Sequence, residues 1–98
     1  MHARVATFAD GEPGQVAAMI EGISRQLQSG PPEGVPLVGG IVLHNAAERR
    51  VVAISLFETE ADLREGDATL SAVDPPVPGG LGRRVSVETY EVALRLDV

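Results

Sequence analysis

Between residues 38 and 73 the hydrophobic pattern of this chain is densest, and its period changes. VGGIVLHN, the polar AAERR and then VVAISLFE read as two strands joined by a hairpin; TEADLREGDATLSAV reads as a capped helix. In the second strand Val52, Ile54 and Leu56 share one face, and Val51, Ala53, Ser55 and Phe57 the other. In the first, Leu37, Gly39, Ile41 and Leu43 alternate with Val38, Gly40, Val42 and His44. Side chains of a strand point alternately to its two faces, so a strand with one wet face shows apolar and polar residues in turn. Neither run does. Continuous apolar character means burial on both faces. The chain supplies two helices, enough to cover one face of a small sheet. A second copy of the sheet, packed face to face, is the simplest cover for the other. The expectation is a homodimer.

The flanking segments complete the order. Residues 3–8 read as a first strand, punctuated by Asp10-Gly11-Glu12-Pro13. Asp10 or Glu12 can accept from free N–H groups at a helix start, and Pro13 suits a first turn that needs no donor. The helix runs to about Leu27, with Val16, Ile20, Ile23 and Leu27 on one stripe and Glu21, Arg25 and Gln28 toward water. Gly30-Pro31-Pro32 ends it, and 33–36 is a loop. Thr59 opens the second helix in a near capping box with Asp62, and Leu63, Gly66, Leu70 and Val73 form its buried stripe. Residues 74–82, rich in proline and glycine, form a linker or a lid.

The last strand is read over 83–96. Val85 and Val87 are apolar on one phase, Val92, Leu94 and Leu96 on the other. Such a change implies a bulge near 88–91 or a strand entering a new environment. At ~3.3 Å per residue the segment would span roughly 46 Å, more than one small sheet needs, so its distal half is expected to reach a partner subunit. The order β-α-β-β-α-β makes the fold class α+β, a ferredoxin-like split βαβ with an antiparallel sheet.

Composition narrows the function. At 98 residues the chain is one domain, residues 1–98, with only Phe8, Phe57 and Tyr90 as aromatics. A thin aliphatic core is a further reason to gain stability from dimerisation. The net charge of −6 argues against nucleic acid, which needs clustered cations. Without cysteine there is no disulfide or thiolate chemistry. The N-terminal residues lack an apolar signal-peptide core, and no apolar run approaches the roughly 20 residues that span a bilayer, so the expectation is a soluble, cytoplasmic protein with no membrane partner.

Few residues carry chemistry. Glu58, Glu60 and Asp62 alternate like the start of a calcium loop, but Leu63 and Thr69 stand where that loop needs Gly and Glu; solvated carboxylates at a helix start account for them. His2 and His44 are too few and too far apart for a metal site. His44 reads as an edge residue beside a turn, His2 as frayed terminus. Gly79-Gly80-Leu81-Gly82 precedes a strand, not the helix a phosphate loop requires. Gly39-Gly40 leaves room in its strand for a close backbone or a ligand. Thr7, Ser55 and Tyr90 are hydroxyls in or beside apolar strands. Each bonds backbone or orients a ligand in an apolar pocket.

Three stretches carry a family likeness: Arg4-Val5-Ala6-Thr7-Phe8, Gly39-Gly40-Ile41-Val42-Leu43, and above all Ala53-Ile54-Ser55-Leu56-Phe57-Glu58-Thr59-Glu60-Ala61-Asp62-Leu63. Over nearly its whole length the chain resembles the antibiotic biosynthesis monooxygenase superfamily, small dimeric α+β barrels. The resemblance implies a homodimer with an apolar pocket between sheet and helices. It also implies a cofactor-independent monooxygenase of small aromatic or quinol-like substrates, in which the substrate gives its own electrons to dioxygen. Phe57 stands where that family commonly has a pocket-lining Trp, and Thr7, Ser55 and Tyr90 become candidate pocket-lining groups beside it. No residue offers itself as the catalytic base, and neither metal nor cofactor is expected. Haem degradation, which in some relatives uses an Asn, a Trp and a helical His, does not fit a chain without Trp whose two His lie off the expected helices. The alternative is a non-catalytic dimeric module that binds a small apolar ligand or serves a stress or regulatory role.

Overall fold

The expected elements form in the expected order. In the computed structural model, which describes residues 1–72 and 80–97, they are β1 (His2–Ala9), α1 (Pro13–Gln28), β2 (Gly39–Asn45), β3 (Arg50–Phe57), α2 (Glu60–Ala72) and β4 (Arg83–Glu91). Most of the proline- and glycine-rich segment read as a linker or lid, and Val73 of the second stripe, lie outside the described residues. The fold is α+β: one four-stranded sheet of order β2-β3-β1-β4, every neighbouring pair antiparallel, and two helices. Because β3 lies between β1 and β2, the first β-α-β unit is split, which is consistent with the ferredoxin-like arrangement.

Local chemistry sets the element ends. The Glu12 carboxylate accepts from the Gly14 N–H (3.3 Å) and Pro13 fills the first turn of α1. Its last turn closes as Ser29 N–H donates to Gln26 O and Gly30 N–H to Leu27 O, with Gly30 at φ 112°. At α2 the Thr59 Oγ1 accepts from Asp62 N–H (3.1 Å), the expected cap. The hairpin between β2 and β3 is tied by Glu48 N–H donating to Asn45 Oδ1 and Arg49 N–H to Ala46 O.

The pairing register divides the sheet into two faces. Directly paired residues point the same way, so the row Gly40, Ser55, Arg4, Thr89 shares a face with Val42, Ala53, Ala6, Val87. This face carries both helices: Phe57 meets Gly66 of α2, Arg4 pairs with Asp67 of α2, and Val42 faces α1 across an open cleft. The other face carries the rows Leu43, Val52, Thr7, Ser86 and Ile41, Ile54, Val5, Glu88. Nothing in the described chain covers it. Ile41 and Leu43 are about half exposed, at 53% and 50%.

The core sits under α2, where Val35, Phe57 and Leu63 are buried and Leu37 and Leu70 pack against them. Val35 belongs to a segment that the sequence presents only as a loop. Thr69 Oγ1 donates to Gly34 O (3.0 Å) and holds that loop on α2.

Three expectations are corrected. The β1–β4 register shifts between Thr7 and Phe8, opposite Val85, whereas Val5 to His2 pair regularly with Glu88 to Glu91; the bulge is at Val85, not at 88–91. The last strand ends at Glu91, and 92–97 is not strand, because only Val92 finds a backbone partner, its N–H donating to Met1 O (2.9 Å). His2 is not frayed: it opens β1, paired with Phe57 on one side and Glu91 on the other. Among the described residues no helix is long and apolar enough to cross a membrane.

Candidate functional site

Strand alternation decides which of the four candidate pocket residues meet. Thr7 pairs with Val52 and Tyr90 with Ala3, which places both on the uncovered face. Ser55 pairs with Arg4 and Phe57 with His2, which places both under the helices. The four therefore do not line one pocket within a single chain. Phe57 is fully buried, packed between the loop around Val35 and α2. Ser55 is half-buried beside Arg4. Tyr90 is half exposed, and its hydroxyl donates to the Glu88 carboxylate. That hydrogen bond, with the negative charge behind it, raises the Tyr90 phenol above its ordinary value.

The helix-covered face is built from small side chains. Gly40, Ser55, Ala53 and Ala6 present little bulk toward the helices. Of the stripe on α1, Val16 is buried, Ile20 and Ile23 are only half-buried, and Leu27 is 43% exposed. A cleft of about 370 Å³ opens between them and edge strand β2, lined by Ile20, Ile23, Ser24, Leu27, Gln28 and Val42. It falls within the size range of small-molecule sites, roughly 300–1,000 Å³. The Ser24 hydroxyl and the Gln28 amide are its polar groups. No side chain in the lining ionises near neutral pH, so a ring bound here would lose water without meeting a charge.

The sequence presents Ile20, Ile23 and Leu27 as core and Gln28 as solvated. The signal that they border a cleft is the facing run of Gly and Ala, legible only once the register is known.

At the opposite end of the sheet lies a smaller, polar hollow of about 270 Å³, lined by His2, Glu60, Leu63, Thr89, Tyr90 and Glu91. Beside it on the same face Arg4 is buried, 5% exposed. Its Nε donates to Asp67 Oδ1 (2.8 Å) and its Nη2 to Ser71 Oγ (3.4 Å). A buried guanidinium of this kind is held by its partner; the sequence hints at it only as a lone charge inside an apolar strand. His44 is exposed at the end of β2, paired with Val51. Among the described residues, no three His, Asp or Glu side chains converge as a metal site would require.

No family model matches the chain, and a search of curated proteins returns no match.

Proposed function

We propose that this chain is a homodimeric module of the dimeric α+β barrel type that binds a small apolar or aromatic molecule in the cleft between α1 and β2. The observation that carries the reading is the lining itself: Ile20, Ile23, Leu27 and Val42 around two neutral polar groups, Ser24 and Gln28. Apolar walls with a few convergent polar groups are what small-molecule sites are made of. The dimer is supported by the uncovered face, where Ile41, Leu43, Val52, Ile54, Val5 and Leu56 form a continuous apolar surface. A second sheet laid against it would bury those side chains at roughly 25 cal/mol per Å².

A second reading is a cofactor-independent monooxygenase of small aromatic or quinol-like substrates. It is favoured by the resemblance carried by residues 53–63 and by the uncharged lining of the cleft. An electron-rich phenol held there would be desolvated and would supply all four electrons itself: one atom of dioxygen enters the ring, the other leaves as water, and the phenol ends as a quinone.

One experiment separates the two. A panel of naphthols and naphthohydroquinones is titrated against the protein, and oxygen uptake is followed in the same solutions. Saturable binding without oxygen consumption supports the binding module. Oxygen consumption with an oxygenated product, lost in Ile23→Glu, supports the oxygenase. Absence of saturable binding across the panel, or binding indifferent to Ile23→Glu, removes the cleft from both readings.

A further inference from the structure

The chain has eight arginines and no lysine against 14 carboxylate side chains. Five of the arginines lie in ion pairs: Arg4, Arg25, Arg64, Arg83 and Arg95. Arg49, Arg50 and Arg84 have no carboxylate partner among the described residues, and all three gather where β1 ends. There Ala9 pairs with Arg50 on one side and Arg83 on the other, and Phe8 pairs with Arg84. Asp10 fixes the arrangement. Its N–H donates to Arg49 O (3.0 Å), and its carboxylate accepts from Arg83 Nη2 (3.0 Å) and Nε (3.3 Å), which ties the hairpin and the start of β4 to one residue. Arg49 holds φ 50°, the left-handed region that hairpins ordinarily give to glycine or asparagine. A side chain is kept there against the preference of the backbone. Of the carboxylates at this end, Asp10 is taken by Arg83 and Glu12 by the Gly14 N–H, which leaves Glu48 against three exposed arginines.

We infer that this end of the sheet is a docking surface for a short acidic segment of a partner protein, whose carboxylates are taken by Arg49, Arg50 and Arg84. Guanidinium forks bind carboxylates bidentately, and clusters of them are a recurring way of reading acidic motifs. The spacing favours a run of carboxylates over one compact anion. Arg50 and Arg84 lie on β3 and β4, two strand spacings or roughly 10 Å apart. The register puts them on opposite faces of the sheet. A single phosphate set on either face meets one of them; an extended peptide crossing the strand ends turns side chains toward both. Charge limits the length of the partner. Glu58, Glu60, Asp62 and Glu91 mark the opposite end, where β3 and β4 stop. The eight residues of β1 between the two ends span roughly 26 Å, well beyond the screening length of about 8 Å at physiological salt. A short anion on the arginines is shielded from that end, whereas a membrane or a duplex would lie along the acidic remainder of a chain of net charge −6. The patch shares no residue with the cleft between α1 and β2.

The test titrates the full chain into labelled hexaglutamate, with labelled hexaglutamine as control, and follows fluorescence anisotropy at low ionic strength. Saturable binding of hexaglutamate alone is expected, weakening as salt is added. Arg50→Gln and Arg84→Gln are each expected to weaken it about threefold, the scale of one exposed ion pair. Arg49→Gly, Arg50→Gln and Arg84→Gln together should weaken it about tenfold or more. Arg49→Gly separates docking from folding: glycine suits φ 50°, so this variant should melt higher while it binds hexaglutamate less well. Absence of saturable binding, or equal binding by the triple variant, overturns the docking surface. Displacement of hexaglutamate by pyrophosphate or oligothymidylate at lower concentration than by unlabelled hexaglutamate gives the patch to a compact anion or a nucleic acid and overturns the acidic segment. A triple variant whose mass in solution falls below that of the unaltered chain gives the patch to a second copy and overturns it as well.

Discussion

Gly66 of α2 sits directly on the ring of Phe57: a Cβ built on this glycine would lie 2.5 Å from Phe57 Cζ. Both residues are buried, and the absence of a side chain at 66 lets α2 approach the sheet at its best-packed point. Glycine costs a helix interior about 1 kcal/mol relative to alanine, so its presence here is a packing requirement opposed by propensity. Gly66→Ala is expected to destabilise the fold by about 1–3 kcal/mol despite the better helix former, because overpacking outweighs propensity. In a domain of this size that lowers the melting temperature by roughly 4–8 °C per kcal/mol. Gly66→Ala combined with Phe57→Leu should lose less than the sum of the two single changes, since the smaller side chain frees the space the methyl needs. Thermal melts of the four proteins check this; strict additivity would mean the two residues do not compete for one volume.

The Arg4–Asp67 pair should respond asymmetrically to loss of either partner. The Arg4 side chain is 7% exposed and that of Asp67 40%. Asp67→Asn leaves a buried guanidinium without its counter-charge, whereas Arg4→Met removes the charge together with its desolvation cost. Because water still reaches Asp67, the first change is expected to cost about 1–3 kcal/mol, below the range for fully buried pairs. The second is expected to cost less. Urea unfolding of both variants gives the order; a larger loss in Arg4→Met would show that packing of the arginine stem, not its charge, holds α2 in place.

How far the sequence can be read follows from which signals are local. Strand alternation, the Thr59 cap and the Gly30 stop depend on neighbours a few residues away, and β2, β3, α1 and α2 lie within a residue or two of where those signals put them. The end of β4 depends on what it pairs with. The phase change after Val87 has the look of a bulge, but the pairing there is regular, and the strand stops because β1 begins at His2. Val35 is core because a loop folds onto α2, a contact that no periodicity announces. The candidate site is least legible. Thr7, Ser55, Phe57 and Tyr90 are each polar or aromatic groups on apolar strands, and alternation within each strand is visible. Only the register between strands reveals that Tyr90 goes with Thr7 and not with Phe57.

Tyr90 provides a titration that needs no label, since the chain has one tyrosine and no tryptophan. Its hydroxyl donates to Glu88, a bond made only by the protonated phenol, and the carboxylate charge opposes phenolate formation; both raise its pKa. Ultraviolet titration is expected to show phenolate appearing above the ordinary value of about 10. Glu88→Gln should move the transition down, because the charge is gone and the remaining bond is weaker. A folded-state value above the unfolded one means that any stabilisation is complete below about pH 10 and is lost as the pH rises through the folded value. A midpoint that does not move in Glu88→Gln would remove this contact from solution.

The two apolar surfaces of the chain should be separable by placing one charge on each. Ile54 lies mid-sheet on the uncovered face, paired with Val5 and Ile41, while Ile23 lines the cleft beneath α1. A carboxylate at Ile54 would be desolvated twice in a face-to-face dimer, once from each chain, and would face its own copy. Ile54→Glu is therefore expected to weaken self-association at least ~100-fold, about 2.7 kcal/mol, with little effect on the folded monomer, in which the residue is only half-buried. Ile23→Glu should leave the mass in solution unchanged and weaken naphthol binding by roughly tenfold or more. Light scattering over a dilution series, followed by ligand titration of each variant, gives both readings. If Ile54→Glu remains a dimer at every concentration, the uncovered face is not the interface. If Ile23→Glu also dissociates, the cleft and the interface are one surface, and the ligand and the second copy compete for it.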